Sequence, residues 1–510
     1  MTRALVVPEI SRVEGHGRIR VEISDGKVTE VKLGIFEGPR FFEAVARGRR
    51  YDEVPEIMCR ICAICSAGHK VTSILAVEDA LGIQVSRQTE LLRELYFLGM
   101  MIESHSLHLY FLALPDYLGY TSAIELVPKY ADKVQQGLHL KRLGNRIQER
   151  ISGRPIHGPN AVVGGFGKVP EASELVELKE ELKELLPAAE DTVHLFAKLD
   201  YPEFTKAFTV FFALRPKDDK FSFFGNGSIA CSSGDEIPLE RYDVVCDERV
   251  LDYSTAKHSY SRGDPFMVGA LARVNLFHKG LTPVAASALK KTGWKLPSNN
   301  TLHNNLAQAV ELVYSVERAI DVIDQLLEIG PVPEKPVKVD PAIFEEGCSS
   351  RVKPASGKNA KKPEDGVQTA EKAENKPNEK KVVQGDDPKA PEMNSTEGSK
   401  PGAGGSGNAG PKLVDIDGEG YRGIAATEVP RGTLYHDYKF DKNGRLVWAN
   451  VVTPTAQNAA NIERDLRACA LNTIHREDDE IKLYLEMVAR AYDPCISCSA
   501  HLVDLVVKRS

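Results

Sequence analysis

The chain is poor in several things, and each shortage excludes a class of protein. Nine cysteines among 510 residues are too few for a disulfide framework in a chain this long. There is no excess of basic residues: the formal net charge is -7, and nucleic-acid binding needs a basic footprint. There is no long uninterrupted apolar run. The most apolar stretch, LYFLGMMIESHSLHLYFLALP, is broken by Glu103, His105 and His108, so no membrane span is expected. The N-terminal MTRALVVPEISRVEG has neither an apolar h-region nor a twin arginine, so no secretory leader is expected and the cytoplasm is the expected compartment. No internal repeat is visible. GNGS and PGAGGSGNAG are glycine-rich, yet neither joins a strand to a helix in the manner of a nucleotide-binding loop.

The composition that remains, 42% apolar and 27% charged, is that of a globular protein long enough to bury a large core. Residues 18–36 alternate apolar and polar around Asp25-Gly26, which predicts a hairpin. From Ser86 the period becomes helical, with Leu91, Leu92, Leu95, Leu98, Met101, Ile102 and His105 on one face as far as Pro115. Further helices are predicted near 172–186 and 304–330, the latter stopped by Gly330-Pro331. Residues 200–300 read as mixed short strands and turns. A last helical pair, 456–475 and 478–491, leads towards the C-terminus. The expected fold class is α+β and predominantly helical: a long-helix bundle core, a small N-terminal hairpin or sheet, and mixed peripheral strands. From about 349 to 412 the chain turns to Lys, Glu, Pro, Gly, Ser and Asn, without aromatic residues. Such a segment cannot bury enough apolar surface to offset its ordering entropy. It is expected to be a disordered insertion in one domain formed by 1–348 and 413–501.

The cysteines are not scattered. CRICAICSAGH places Cys62 and Cys65 ahead of His69, and DPCISCSAH places Cys495 and Cys498 ahead of His501. In a reducing compartment CxxC pairs read as metal or redox chemistry, and soft thiolates suit a transition metal better than magnesium or calcium. A zinc ribbon separates its pairs by roughly 15–20 residues, whereas Cys65 and Cys495 are 430 positions apart (495 minus 65). Spacing alone leaves a structural four-cysteine zinc site open.

The flanking motifs carry more. RVEGHGRIR (12–20), RICAICSAGH (60–69), GRPIHGPNAVVGGF (153–166), PRGTLYH (430–436), VVTPTAQN (451–458) and DPCISCSAH (493–501) together resemble the large, catalytic subunit of [NiFe]-hydrogenases, in the right order over nearly the whole chain. The resemblance implies that subunit's fold and heterolytic cleavage of H2 at a nickel–iron centre whose iron carries CN and CO. By motif position, Cys62 and Cys495 are the implied terminal nickel ligands, and Cys65 and Cys498 the implied nickel–iron bridges. Glu14 matches the proton-relay glutamate, Arg431 the arginine over the metals, and Thr455 the residue that contacts a cyanide. Asp493 and His69 fall in the surroundings of the ligands. Glu43, the Val451 carbonyl and His501 match a magnesium site, although Glu43 taken alone reads as the solvent-facing residue of an amphipathic helix. Cys59 lies outside the ligand pattern, and Cys231, Cys246, Cys348 and Cys469 read as isolated thiols. His105 and His108, three residues apart on one helix face, read as core or supporting histidines.

Some positions depart from the commoner pattern. Ala63 stands where glycine is frequent, Ser104 where many members place an aspartate near the arginine, and TPTAQN replaces a tryptophan-containing version. These changes resemble the cofactor-coupled cytoplasmic branch. The chain offers no further cysteine set for an iron–sulfur cluster, so the resemblance implies an iron–sulfur small subunit, with NAD(P)- or deazaflavin-linked or other carrier subunits beyond it. An H2-sensing regulatory subunit shares the same ligands. An electron-transfer scaffold related to a respiratory-complex subunit would lack them. The resemblance also implies a maturation endopeptidase that cuts after His501, removing LVDLVVKRS (502–510) so that the second cysteine pair can close over the metals. Nickel-loaded, active protein is accordingly expected to end at His501. Its intact mass checks this, and a fully active chain that retains 502–510 would refute it.

Overall fold

A computed structural model describes residues 2–38, 41–205, 209–339, 413–414 and 420–500. The expected insertion, Cys348, His501 and the expected tail 502–510 lie outside the described residues. The predicted hairpin is present as β2 (Gly17–Ser24) and β3 (Lys27–Ile35). Asp25 and Gly26 both take positive φ, 51° and 74°, the backbone hand that matches the twist of a tight hairpin. The sequence pattern did not announce β1 (Thr2–Val7), which adds antiparallel to β2 and completes a three-stranded sheet.

The helical core follows. α1 (Ser66–Leu81) and α2 (Arg87–Leu107) are buried along almost their whole length. α1 escapes a reading by periodicity for that reason: a helix covered on all sides has no polar face to set the phase. The side chain of Ser86 caps α2 by accepting from the Thr89 amide. The predicted stop at Pro115 is not a stop. A wider turn, His108–Ala113, leads into Leu114–Leu118, and Pro115 occupies that segment's first turn, where a missing N–H costs nothing. α3 (Val127–Ser152) went unpredicted, though its buried Leu140, Leu143, Gly144, Ile147 and Ile151 keep helical spacing. α4 (Ala172–Phe196) continues past Pro187, where the sequence period had ended near 186. Burial of Ala189, Val193 and Phe196 beyond it offsets the lost hydrogen bond.

Residues 200–300 are mixed, as expected. They contain β4 (Val210–Pro216), β5 (Gly225–Cys231), β6 (Glu236–Pro238) and β7 (Phe266–Met267), in sheet order β7-β4-β5-β6. They also contain a helix, α5 (Ala270–Phe277). α6 (Asn304–Ile329) then crosses α2 and α4 through the core. After the undescribed segment a second antiparallel sheet is built from β8 (Leu413–Val414), β9 (Gly420–Val429), β10 (Gly432–Asp441) and β11 (Leu446–Val452). α7 (Pro454–Thr473) and α8 (Asp478–Ala491) realise the predicted final pair. Among the described residues no helix is long and apolar enough to cross a membrane.

Two close approaches lock this arrangement. α1 lies directly on β9: a Cβ at Gly423 would stand 2.0 Å from the Ala76 carbonyl oxygen and 2.4 Å from the Ala80 nitrogen. α2 and α3 cross backbone to backbone, where a Cβ at Gly144 would meet the Glu103 nitrogen at 2.5 Å and the Gly99 oxygen at 2.6 Å. These neighbours are main chain and cannot turn away. Gly144→Ala is therefore expected to destabilise the protein by roughly 1–3 kcal/mol, the usual cost of overpacking. Chemical denaturation checks it, and an unchanged midpoint would contradict the close crossing.

Candidate metal centre

Both cysteine pairs sit where an irregular segment turns into a helix. Cys62 is extended (φ -140°, ψ 143°) after the short turn Cys59–Ile61, and Cys65 immediately precedes α1. A thiolate at a helix N-terminus meets the positive end of the dipole. The Cys65 amide also donates to Cys62 Sγ at 3.1 Å. Cys495 immediately precedes the short helix Ile496–Ser499 and orients it through Cys498 N to Cys495 O, 3.2 Å. The chain enters this segment through Asp493, at φ 51°.

The fold closes these distant halves on one another. Cys62 Sγ lies 3.5 Å from Cys495 Sγ, Cys65 Sγ lies 3.6 Å from Cys498 Sγ, and the Cys495 and Cys498 sulfurs are 2.6 Å apart. All four ligand atoms fall within 4.8 Å of one another and all four residues are buried. Burial pushes the Cys62 thiol up, but hydrogen bonds from the other three thiols and the charge of Arg431 outweigh it and hold Cys62 well below the ordinary thiol value. Cys65 and Cys498 are pushed well above it, Cys65 chiefly by its bond to Cys495 and Cys498 chiefly by burial.

Glu14 arrives from the loop before β2. Its main chain pairs with Cys495 as an isolated parallel bridge, with Ile496 N donating to Glu14 O at 2.9 Å. Its carboxylate accepts from Ser497 N at 3.0 Å and Ser497 Oγ at 2.5 Å, and Cys495 Sγ stands 3.2 Å from Oε2. Gly15 makes the approach possible: at φ 86° it already excludes most side chains, and a Cβ there would lie 2.8 Å from both Ile496 Cβ and Ser497 N. Burial, then the neighbouring Cys495, raises the Glu14 carboxyl to about 7.

Arg431 occupies the tip of the β9–β10 hairpin, whose register pairs Val429 with Gly432 and leaves only Pro430 and Arg431 in the turn. The side chain is 4% exposed. Nε donates to the Asp493 carbonyl at 2.7 Å and Nη2 to Asp493 Oδ1 at 3.0 Å, while Nη1 makes no hydrogen bond among the described residues. Asp493 is held in turn by Gln308 Nε2 at 3.2 Å, and Gln308 meets His108 Nδ1 at 2.5 Å. Thr455, at the start of α7, accepts from the Cys495 amide at 2.9 Å. His69, one turn into α1, lies 3.1 Å from His436 Nε2. His436 bonds Tyr438, whose hydroxyl donates to Ser73 at 2.9 Å.

The residues singled out in the sequence thus fall into two groups. Cys62, Cys65, Cys495, Cys498, Glu14, Arg431, Asp493 and Thr455 form one connected site. Glu43 is not solvent-facing: it is fully buried in the helix Phe42–Ala46. Val451 is buried opposite His436 in the β10–β11 register. His105 meets Glu311 at 3.0 Å, Ser104 Oγ is buried, and Cys59, Cys231, Cys246 and Cys469 are buried free thiols. Sequence reasoning passed over Ser497 and Gln308. The first sits inside the CISC motif itself, and the second is one of several buried polar residues of α6, among them Asn304, Asn305 and Glu311, whose partners the sequence does not name.

The donor set fits a soft transition-metal group. Four thiols this close cannot all ionise without a cation among them. A closed structural zinc site would not require the rest: a buried guanidinium with an uncommitted Nη1 and a half-buried carboxylate against one sulfur are features of a site that handles charge and protons.

Comparisons with known proteins agree. The family described as nickel-dependent hydrogenase matches residues 40–154. The alpha chain of sulfhydrogenase 1 of Pyrococcus furiosus is 37% identical over 501 residues, 98% of each chain. The vhu F420-non-reducing hydrogenase of Methanocaldococcus jannaschii has a chain that is 27% identical, covering 91% of this chain and 98% of its own. The beta chain of the NAD-reducing hydrogenase HoxS of Cupriavidus necator is 26% identical, covering 98% and 95%. Among solved structures, an NAD+-reducing [NiFe]-hydrogenase in the H2-reduced state superposes with a TM-score of 0.77 at 22% identity over 98% of this chain and 99% of its own. A [NiFeSe]-hydrogenase of Dm. baculatum gives 0.66 at 20% over 98% and 100%.

Because a hydroxyl is a poor substitute for a soft thiolate, Cys62→Ser, Cys65→Ser, Cys495→Ser and Cys498→Ser are each expected to lose stoichiometric transition metal, read by elemental analysis. Full metal content in any one of them would remove that position from the ligand set.

Proposed function

This chain belongs to the nickel-dependent hydrogenases, and from that membership we infer how its own residues serve H2 cleavage at a nickel–iron centre. Cys62, Cys65, Cys495 and Cys498 would hold the two metals, Cys62 and Cys495 as nickel ligands and Cys65 and Cys498 as ligands shared with an iron that would carry CN and CO. The observation that carries this reading is the convergence of four buried thiols beside an arginine whose Nη1 is uncommitted. When bound, the nickel–iron group supplies an open coordination position at which H2 is split heterolytically.

The protein's contribution is charge and proton handling. Arg431 stays cationic, because Asp493 and the neighbouring thiolates outweigh its burial. Its Nη1 offers a fixed donor to a ligand above the sulfurs, a cyanide in this reading, and Asp493 keeps the guanidinium from turning away. Thr455 fixes the Cys495 main chain and stands for the second cyanide contact. Glu14 lies within reach of Cys495 Sγ, and its raised carboxyl can take a proton near neutrality and return it. Ser497 orients that carboxylate by two hydrogen bonds. Glu43, the Val451 carbonyl and His501 hold magnesium, a cation that accepts few protein ligands and keeps waters.

Electrons leave through an iron–sulfur small subunit. A relative named as NAD-reducing supports a soluble carrier beyond it, served by NAD(P)-linked, deazaflavin-linked or other subunits. The protein acts in the cytoplasm, and an endopeptidase trims it after His501.

Elemental analysis for nickel and iron, together with viologen-linked H2 uptake, tests the reading. Zinc alone would end it, and metal-loaded protein with negligible turnover would turn it into an H2 sensor. Glu14→Gln is expected to keep nickel and the infrared CO and CN bands but to lose turnover by on the order of 100-fold, since an amide cannot relay a proton. Near-normal H/D exchange with solvent in that variant would refute the relay.

A further inference from the structure

Arg273 lies on α5, outside the six motifs that carried the resemblance, and its side chain is 1% exposed. Its fork is fully used. Nε and Nη2 donate to the two oxygens of Glu311 at 2.6 and 2.7 Å, and Nη1 donates to Glu428 Oε2 at 2.8 Å. The η nitrogens also reach two carbonyls: Val429 O at 3.1 Å from Nη1 and Pro430 O at 3.2 Å from Nη2. Those are the two residues that lead into Arg431. Glu428 Oε1 accepts from Leu214 N and from Thr433 Oγ1, each at 2.7 Å, so one carboxylate ties both flanks of the turn. α5 also begins hard against the turn: a Cβ at Gly269, just before it, would lie 3.1 Å from the Arg431 carbonyl oxygen.

A two-residue hairpin turn needs no buried guanidinium to reverse the chain, and desolvating one costs several kcal/mol unless it is well paired. Two of the five contacts here go to the main chain beside Arg431, and a third holds Glu428, which ties the flanks of the same turn. We propose that Arg273 is a positioning residue: with Glu428 it fixes the Pro430-Arg431 turn, and thereby the place of the Arg431 guanidinium over the four sulfurs. The proposal rests on the role given to Arg431 above. A lysine offers one compact charge and no planar fork, and cannot hold two carboxylates and two carbonyls at once.

The test is a double-mutant cycle on the holoenzyme. Arg273→Lys is expected to retain nickel and the KM for H2, to lower kcat by roughly 10- to 100-fold, as small misplacements of a catalytic group do, and to shift the infrared cyanide bands in the direction that Arg431→Lys shifts them. In the Arg431→Lys background the same exchange is expected to cost less than about twofold further, because a residue acting through another adds nothing once that other is gone. An equal factor in both backgrounds, or unshifted bands, would overturn the proposal. If Arg273→Lys yields no loaded protein, Thr433→Val, which removes the hydroxyl that donates to Glu428, is put through the same cycle. Its smaller loss should vanish beside Arg431→Lys, and persistence there overturns the proposal equally. A silent Arg431→Lys would instead remove the role of Arg431, and Arg273's with it, which the cycle shows separately.

Discussion

Four cysteine sulfurs within 4.8 Å of one another are the constraint that the rest of the structure serves. Two thiolates about 4 Å apart repel by about 4 kcal/mol at the effective dielectric of a protein, and four buried ones multiply that cost. The surroundings supply the compensation. Cys65 sits at the N-terminal end of α1, Arg431 brings a permanent positive charge, and amide hydrogens meet Cys62 and hold the Cys495 main chain. What the protein leaves uncompensated is what the metals of this family bring.

Bringing the two pairs together is a problem of backbone approach, which glycine solves where side chains would obstruct. Gly15 lets the Glu14 segment run alongside Cys495, and Gly423 lets α1 press onto β9. The same packing places the Arg431 hairpin beside the start of α1, where a Cβ at Gly68 would stand 2.4 Å from Val429 Cγ1. The first cysteine pair, the arginine and the glutamate are thus carried by three different elements, and the C-terminal segment touches each of them: Cys495 meets Cys62, Asp493 meets Arg431 and Ser497 meets Glu14.

Buried charge is handled as a connected set. Arg431 with Asp493, and Arg273 with Glu311 and Glu428, are paired ions with almost no exposure. Such pairs contribute little net stability, because desolvation cancels much of their attraction. Their value is geometric, since each member has one low-energy orientation. Gln308 and His108 extend the first set from Asp493 towards the Arg490 carbonyl, and His105 extends the second from Glu311.

The order of the motifs along the chain, through the family they resemble, pointed to the chemistry. CxxC pairs, a glutamate before a glycine and an arginine after a proline are short motifs that can be recognised together without knowledge of distant contacts, and the hairpin at Asp25-Gly26 and the long amphipathic helices were legible locally. What local pattern could not decide was anything set by burial. α1 has no polar face to read, α4 passes Pro187 because its far side is packed, and Glu43 looks like a surface carboxylate until the fold encloses it. Only the tertiary structure decided which polar groups meet: Ser497 on Glu14, Gln308 on Asp493, Arg273 on the turn before Arg431. Those partners lie between 157 and 483 positions apart, and the spacing of residues along a chain carries no record of contacts that only packing creates.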